Sequence, residues 1–473
     1  MRPFYLLFTI LILAGNLLPG ALFGQGQKSP HISIQVVGMQ PGKAYLIGLF
    51  EGQQFRADSA RADAEGRMLF QRDEPYEAGL YYVWLPDKMA IQILIDKDQE
   101  FVLKSRTGAL ASAMEVEGSL ENELLYRNLK FEEQYSAEAM ELSERLQKLA
   151  PETPEYLEAK AKLDDWAARR RAHLEELFTQ YPNAFFTKYK KAGQNPDVRE
   201  VFKEDGALDM ALQVYYYRRD FWQDVDFSDP RLLRTPVITN KLQRYVKELT
   251  IQHPDSINAA AKFLVDQVLD YPEYYKYFVN WIALQYQPTK STLMDSEAVF
   301  VFMVQNYFTR ERAFWSDSLQ TWAIQKRAEE MAASLVGKQA PDVRAQGPDG
   351  KYHSIYEIEA PYIIVFMYNP TCDHCIKETP KLVQFYREWK DNGVEVFAIA
   401  LDTEDAEWKD FIARNDMDWI NVFDPTNRSI YGKYWVDITP ELYLLNPGRK
   451  IIGKNLKVYQ VPEVIRRDKI KRD

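Results

Sequence analysis

The stretch YIIVFMYNPTCDHC, from Tyr362 to Cys375, decides the fold of the region around it. Its first half is an apolar run that ends at Asn369-Pro370, and this pattern predicts a buried strand followed by a turn. Cys372 and Cys375 come next, and the following IKETPKLVQFYREWK is typical of a helix. These are the only two cysteines among 473 residues, and random placement would give this separation on the order of half a percent of the time. The pattern therefore indicates dithiol–disulfide chemistry.

The position of the two cysteines explains why this chemistry is expected. The thiolate is the reactive form of cysteine, and the backbone N–H groups at a helix N-terminus favour negative charge on Cys372. Cys375, one helical turn later, would lie beneath it and could attack a mixed disulfide to release the partner. A protonated or hydrogen-bonding His374 would favour the thiolate and make the disulfide more oxidising, whereas Asp373 would oppose it by Coulomb repulsion. The sign of their combined effect on the reduction potential stays open.

This region resembles the TlpA/ResA-type proteins, which are extracytoplasmic thiol-disulfide oxidoreductases with a thioredoxin fold. The segment Gly337–Ile358 matches the family's leading hairpin, with Asp349-Gly350 as its turn. The segment Ile438–Glu441 matches the loop whose proline, Pro440 in this chain, is cis and faces the disulfide. The resemblance extends over about 337–467, just over a quarter of the chain.

The resemblance also assigns roles to individual residues. It implies that Glu378 lies beneath the cysteine pair, and that the Thr439 backbone, beside Pro440, pairs with an extended substrate segment. Two positions depart from the pattern. Thr371 stands where family members usually carry Trp, and Phe366 stands where thioredoxin has a buried Asp. Without that acid, Glu378 is the better candidate for shuttling the proton of the second cysteine.

Other uses of a Cys-x-x-Cys pair fit the sequence less well. Structural zinc needs about four ligands, and the chain has no further cysteine and only scattered histidines. Covalent haem needs His after the second cysteine, where Ile376 stands. No metal or bound cofactor is expected, because the disulfide itself carries two electrons. Two alternatives remain open: a thiol peroxidase, which shares the fold but usually holds its cysteine beside Arg, and a non-enzymatic interaction platform.

Length and composition limit the number of domains and the classes of partner to be expected. A chain of 473 residues predicts about three domains, and 46% hydrophobic with 27% charged residues is ordinary for a globular protein. A formal net charge of −10 argues against nucleic acid or an anionic membrane surface as the main partner. The expected partners are protein thiols or disulfides and an upstream thiol electron donor.

Residues 1–24 predict a cleaved signal peptide. Arg2 gives a positive start, Phe4–Leu13 is apolar, and a small-residue site lies near Gly24-Gln25. We therefore expect export to the periplasm, with membrane attachment only through an uncleaved N-terminus. Because no cysteine is left for a structural disulfide in that oxidising compartment, the single pair is expected to be a working one.

Residues 29–118 alternate apolar and polar side chains over short segments, which predicts a β-sandwich module. The predicted strands are HISIQVV, KAYLIGLF, RMLF, GLYYVW, AIQILI and EFVLK. The segments DSARADAEGRMLF and Val116–Asn122 resemble an N-terminal β module of unknown function that precedes thioredoxin domains in secreted Gram-negative bacterial proteins. A scaffolding role or a homodimer interface is the expectation for this module.

Residues 119–336 predict an α-helical domain. Ser119 is typical of an N-cap, and two long helices, one to about Ala150 and one over Glu155–Tyr181, predict an antiparallel hairpin. Further helices are expected over Met210–Gln223, Val237–Ile251, Ser256–Val268, Glu273–Tyr286, Asp295–Tyr307 and Trp315–Leu335. The irregular segment Asp226–Ile238 resembles a signature of the helical domain found in such chains.

Residues 337–473 predict an α/β thioredoxin-like domain, a mixed sheet with helices on both faces. After the active-site helix we expect a strand over 394–401, helices over 404–415 and 427–434, a hairpin of ELYLLN and KIIGK, and a last helix over 462–471. The chain is thus expected to be a periplasmic thiol-disulfide oxidoreductase in which Cys372 exchanges with a partner and Cys375 resolves. The family likeness favours a reductant, whereas His374 before the second cysteine favours a disulfide oxidant or isomerase.

Overall fold

The computed structural model describes residues 29–151, 153–287, 290–291, 293–424, 430 and 433–472. The chain divides into two compact units, one extending to Lys241 and the other starting at Leu242. The three-domain division drawn from the sequence stays a prediction. Within the described ranges, no helix is both long and apolar enough to cross a lipid bilayer, and the predicted signal peptide lies outside those ranges.

The first unit begins with two four-stranded sheets, of order β4-β1-β7-β8 and β3-β2-β5-β6. The strands are β1 His31–Val37, β2 Gly42–Phe50, β3 Gln53–Ala62, β4 Arg67–Gln71, β5 Gly79–Trp84, β6 Ala90–Ile95, β7 Glu100–Arg106 and β8 Glu115–Glu117. Strand β3 escaped the sequence prediction because it is a polar edge strand, largely exposed, that pairs only with β2 in its sheet. The packing of the two sheets into a sandwich stays a prediction.

Helices complete the first unit. They are α1 Leu120–Leu146, α2 Pro154–Gln180, α3 Phe185–Ala192, α4 Met210–Asp220 and α5 Pro236–Gln243, with a 3-10 turn over Pro230–Arg234; the end of α5 belongs to the second unit. Ser119 caps α1, because its side chain accepts a hydrogen bond from the Asn122 backbone N–H at 3.3 Å. Ion pairs join the start of α1 to the end of α2, Arg127 to Glu176 at 2.6 Å and Glu132 to Arg170 at 3.2 Å. The two long helices are therefore antiparallel, as the sequence predicted.

The second unit opens with a helical part. After a π-helical turn over Arg244–Glu248 come α6 Pro254–Asp266, α7 Pro272–Gln285, α8 Glu297–Tyr307 and α9 Ser318–Ala332. The aromatic residues of α7 are mostly buried, among them Tyr274, Tyr275, Tyr277 and Phe278. They fill the core between the helices, as their spacing predicted.

The second unit ends in a seven-stranded mixed sheet of order β10-β9-β13-β12-β11-β14-β15. Its strands are β9 Arg344–Gln346, β10 Tyr352–Ser354, β11 Tyr362–Tyr368, β12 Val394–Leu401, β13 Ile420–Asp424, β14 Glu441–Leu445 and β15 Ile451–Gly453. Its helices are α10 Asp373–Trp389, α11 Asp405–Asn415 and α12 Val461–Arg472. Strand β11 pairs in parallel with β12 and antiparallel with β14. The predicted thioredoxin-type α/β fold is confirmed for this domain, while most of the predicted helix 427–434 lies outside the described residues.

Side-chain alternation gives this sheet two buried faces. The face that we call the thiol face carries Phe366, Tyr368, Leu442 and Leu444, which pack with Cys375 and the buried side chains of α10. The face that we call the opposite face carries Val365, Met367, Tyr443 and Leu445. The two faces place different chemistry on the two sides of β11 and β14.

Candidate active site

The junction between β11 and α10 positions Cys372. Each of the seven residues of β11 is buried, and the chain then turns at Asn369-Pro370 before α10 begins at Asp373. Cys372 is the N-cap residue of α10. Its sulphur therefore lies at the helix end where backbone N–H groups have no partner within the helix.

The surroundings of Cys372 favour its thiolate. The Sγ atom is partly buried, and as a thiol it donates to the backbone oxygen of Thr439 at 3.3 Å, a contact that by itself favours the protonated form. Burial by itself would raise the pKa of this thiol. Hydrogen bonds from the backbone N–H and the thiol of Cys375, followed by those from Thr439 and the His374 backbone, outweigh burial and lower the pKa of Cys372 below its ordinary value.

The surroundings of Cys375 shift the pKa of its thiol in the opposite direction. It is fully buried, at 0% exposure, in the apolar cluster of the thiol face. Burial raises the pKa of its thiol to about 12, although the Asn369 backbone N–H, 3.5 Å from the sulphur, acts in the other direction. One sulphur is thus ready to react as a thiolate, and the other stays protonated beneath it.

Asn369 ties the cysteine loop to the neighbouring strand, and the sequence prediction missed this role. Its side-chain oxygen accepts from the backbone N–H and the hydroxyl of Thr371, at 2.8 and 2.7 Å. Its side-chain N–H donates to the backbone oxygens of Leu401 and Asp402, at 3.1 and 3.0 Å. Its backbone oxygen accepts from the Cys372 N–H at 3.1 Å. The Asn-Pro pair after an apolar run predicts a turn. The same pair is typical of an Asn whose side chain hydrogen-bonds the backbone two residues further on.

The loop before β14 brings the Thr439 backbone to the sulphur. The Thr439-Pro440 peptide bond is cis, as the resemblance implied. A groove of about 320 Å³ opens beside this bond. It is lined by Asn369, Thr371, Cys372, Leu401, Asp402, Val436, Asp437, Ile438 and Thr439. An extended chain lying in this groove would therefore meet both the Cys372 sulphur and the Thr439 backbone.

The remaining predicted site residues surround the pair on α10. Glu378 is partly buried, and its Oε1 accepts from the Lys381 Nζ at 2.8 Å. Asp373 and His374 are exposed in the first turn of the helix. His374 helps to lower the pKa of Cys372 through its backbone N–H. The catalytic roles assigned to these residues stay predictions.

The two departures from the family pattern have structural counterparts. Thr371, at the position where relatives usually carry Trp, is held by Asn369. Phe366, at the position of the buried acid of thioredoxin, is 1% exposed and stacks on Tyr368 with ring centroids 5.4 Å apart. This position on the thiol face is therefore apolar. The described residues contain no group of three or more His, Cys, Asp or Glu side chains placed to hold a metal ion.

Comparison with known proteins agrees with this geometry. Residues 336–460 match the AhpC/TSA family. Over 119 residues the chain is 25% identical to the thiol-disulfide oxidoreductase ResA of Bacillus cereus, which covers 25% of this chain and 68% of the relative.

Two solved structures are also similar. A thioredoxin-like protein from Bacteroides caccae is 17% identical, with a TM-score of 0.48 over 57% of this chain and 96% of the other. A domain of a possible thiol-disulfide isomerase from Cytophaga hutchinsonii is 31% identical, with a TM-score of 0.28 over 29% of this chain and 97% of the other.

The homologues of the C-terminal domain are thus thiol-disulfide oxidoreductases with a thioredoxin-like fold. The prediction of an enzyme of this class is confirmed. Proteins of this family generally act on protein thiols and disulfides without a bound cofactor.

Proposed function

We propose that this protein is a periplasmic thiol-disulfide oxidoreductase that reduces disulfides in partner proteins. The contrast between the two sulphurs carries this proposal. Cys372 lies at a helix N-terminus with a lowered pKa, and Cys375 is buried with a pKa raised to about 12. A nucleophile at the surface and a protonated thiol beneath it are the two parts that thiol-disulfide exchange requires.

The exchange proceeds in two displacements. The Cys372 thiolate attacks one sulphur of the partner disulfide, forming a mixed disulfide while the other partner sulphur leaves as a thiolate and takes up a proton. Cys375 then loses its proton and attacks the Cys372 sulphur, which releases the second partner thiol. The partner gains two electrons and two protons, and the Cys372–Cys375 pair becomes a disulfide. An upstream thiol donor returns the pair to the dithiol.

The remaining site residues support these steps. The Thr439 backbone and Pro440 present the edge along which an extended partner segment lies in the groove. Glu378 accepts the proton of Cys375, while Asp373 and His374 tune the charge at the mouth of the site.

Trapping of the mixed disulfide tests the proposal. In a Cys375→Ser variant the second displacement is blocked, so partner proteins remain covalently attached through Cys372 and the adducts disappear on treatment with dithiothreitol. Cys372→Ser is the matched control and should trap none. Failure of the Cys375→Ser protein to form adducts with a disulfide substrate would contradict the proposal, as would faster consumption of peroxide than of disulfide by the unmodified protein.

The direction of electron flow has its own measurement. A reduction potential of the Cys372–Cys375 pair near about −270 mV, the value of thioredoxin, is expected for a reductant. A value near about −120 mV would instead make the protein an oxidant. The periplasmic location rests on residues 1–24 and is tested by cell fractionation with N-terminal sequencing of the mature chain.

A further inference from the structure

The segment before the cis-proline loop carries a carboxyl group into the groove at Cys372. This segment, residues 434–437, which we call the groove segment, leads into the loop with the cis bond at Pro440. Its last residue, Asp437, has a side chain that is 40% exposed, and it lines the groove together with Cys372 and Thr439. The Thr439 backbone oxygen, two residues further on, lies 3.3 Å from the Cys372 sulphur. A partner segment in the groove therefore meets Asp437 close to the reacting atom.

The helical part of the same unit holds the groove segment. The Ser334 hydroxyl, two residues after α9, is buried and donates to the Tyr434 backbone oxygen at 3.1 Å. On α9 itself, the guanidinium carbon of Arg327 lies 5.3 Å from the centroid of the Trp435 ring, and its Nη2 lies 3.9 Å from Asp437 Oδ2. A planar guanidinium can stack on an aromatic ring and pair with a carboxylate at the same time. The helical part thus contacts the first, second and last residues of the groove segment.

The contacts of Arg327 fix the place of its charge. Its side chain is 21% exposed, and its guanidinium carbon also lies 5.6 Å from the centroid of the buried Phe300 ring. The backbone of Trp435 has a φ of +50°, in the left-handed region that bulky residues rarely adopt. A residue persists in this conformation only where its surroundings hold it, and Arg327 is part of those surroundings. Arg327 is therefore a fixed cation beside the groove, and water screens it less than an exposed one.

The charges of the groove show what this cation does. Among the described residues that line the groove, Asp402 and Asp437 carry carboxyl groups, and none is Lys, Arg or His. Arg327 places a positive charge beside Asp437 from outside that lining. A carboxylate in the groove repels an anionic group of a partner and attracts a cationic one, and a cation next to that carboxylate offsets the effect. The charge of Arg327 therefore bears on which partner segments can approach Cys372.

We propose that Arg327 is a specificity-determining residue of the thiol site, which offsets the Asp437 charge and so admits partner segments with acidic side chains beside their disulfide. Loss of Arg327 makes the groove more negative, so acidic segments are repelled and basic ones are favoured. Loss of Asp437 has the opposite effect, because Arg327 then adds a positive charge beside the groove. The consequence for partner choice rests on the proposed function, but the charge effect at Cys372 does not.

Two methanethiosulfonate reagents of opposite charge test the proposal, one carrying a trimethylammonium group and the other a sulfonate group. The Cys372 thiolate attacks the sulfenyl sulphur of either reagent, methanesulfinate leaves, and a mixed disulfide with the charged group forms. All proteins are full chains in a Cys375→Ser background, so the mixed disulfide stays on Cys372 and intact-protein mass spectrometry measures its rate of formation. Because both reagents react with the same thiolate, the ratio of the two rates, cationic over anionic, does not follow the pKa of Cys372.

The two partners of the ion pair should change this ratio in opposite directions. In Arg327→Met we expect the ratio to rise by roughly threefold or more, and in Asp437→Asn to fall by a similar factor. Arg327→Lys keeps the charge and should stay close to the parent ratio. In about 1 M salt, where the Debye length is about 3 Å, the change in Arg327→Met should shrink.

Lys326→Met is the matched control. Lys326 is the neighbouring cation on α9, it is exposed, and it pairs with Glu329 at 3.0 Å. Its replacement removes the same charge from the same helix turn and should leave the ratio unchanged.

Peptide disulfides extend the test to catalysis. With Cys375 restored, kcat/KM of Arg327→Met should fall for a peptide whose disulfide is flanked by Asp and rise for the matched peptide flanked by Lys.

An unchanged ratio in folded Arg327→Met overturns the proposal, and so does an equal shift in Lys326→Met. A change in the same direction in Arg327→Met and Asp437→Asn also overturns it, because a displaced loop rather than a charge would then be responsible. Should Arg327→Met fail to fold, Asp437→Asn decides: a lower ratio supports the proposal and an unchanged ratio overturns it. The thiosulfonates need no redox partner. A protein that reduces no disulfide but shows the two opposite shifts would therefore contradict the proposed function and leave this proposal standing.

Discussion

The two faces of the seven-stranded sheet differ in whether they bury charged side chains. On the thiol face, Cys375 is surrounded by apolar side chains, and Phe366 fills the position where thioredoxin has a buried acid. On the opposite face, Lys454 is buried at 3.9 Å from Asp295 and 3.4 Å from Glu297, and Glu441 is buried at the start of β14. Both faces belong to the same strands, so it is only the alternation of side chains along β14 that places Glu441 and Leu442 on opposite faces.

This difference explains how the site keeps its two thiols unequal. An apolar thiol face raises the pKa of Cys375 by desolvation, so this thiol stays protonated until the mixed disulfide has formed. Cys372 escapes the same effect only because hydrogen bonds reach it at the helix end.

The largest effect on stability is expected from placing a charged group on the thiol face. Phe366→Asp should lower the free energy of unfolding by at least about 4 kcal/mol, because it removes a fully buried ring and buries a carboxyl group among apolar neighbours. Phe366→Leu is the control and should cost no more than about 2 kcal/mol. Urea unfolding of the full chain, followed by tryptophan fluorescence, measures both. Equal stability of the two variants would show that the thiol face tolerates charge, contrary to the comparison.

The opposite face should dominate the pH dependence of stability. The pKa of Glu441 is raised from 4.5 to about 8 in the folded chain, mainly by burial. A raised pKa means that the folded state holds the proton more tightly. This contribution is therefore complete below pH 4.5 and is lost as the pH rises through about 8.

Between pH 5 and 9 we expect the unmodified protein to lose on the order of 3 kcal/mol more than Glu441→Gln, which cannot ionise. Lys454, Glu297 and Asp437 act on Glu441 electrostatically and remain in both proteins. The exposed Glu404 offers a control, and Glu404→Gln should follow the unmodified protein. Parallel curves for Glu441→Gln and the unmodified protein would mean that Glu441 does not titrate as a buried group.

The sequence was informative where the signal is local. The apolar run of β11, the helix after it and the isolated cysteine pair are each contained in a few consecutive residues, and all three lie where they were predicted. The edge strand β3 was missed because its polar sequence lacks alternation. The buried group of Lys454, Asp295 and Glu297 could not be predicted, because Lys454 is distant in sequence from the two carboxyl groups that it pairs with.

The smallest effect concerns Glu378, the acid that the resemblance places beneath the cysteines. Its carboxylate pairs with Lys381, one turn further along α10. With Phe366 in place of a buried acid, Glu378 is the candidate acceptor for the Cys375 proton. Glu378→Gln should therefore slow resolution of a mixed disulfide between Cys372 and thionitrobenzoate by roughly three- to tenfold. Release of the yellow thionitrobenzoate anion, followed by stopped flow, measures this step.

Lys381→Gln distinguishes proton acceptance by Glu378 from a structural effect of its salt bridge with Lys381. It removes the same salt bridge but leaves the carboxylate, so its resolution rate should stay at the unmodified value or rise. Equal slowing in both variants would mean that the ion pair holds α10 in place and that Glu378 carries no proton. An unchanged rate in Glu378→Gln would leave solvent as the acceptor, because the thiol face offers an aromatic ring at Phe366 where thioredoxin offers a carboxylate.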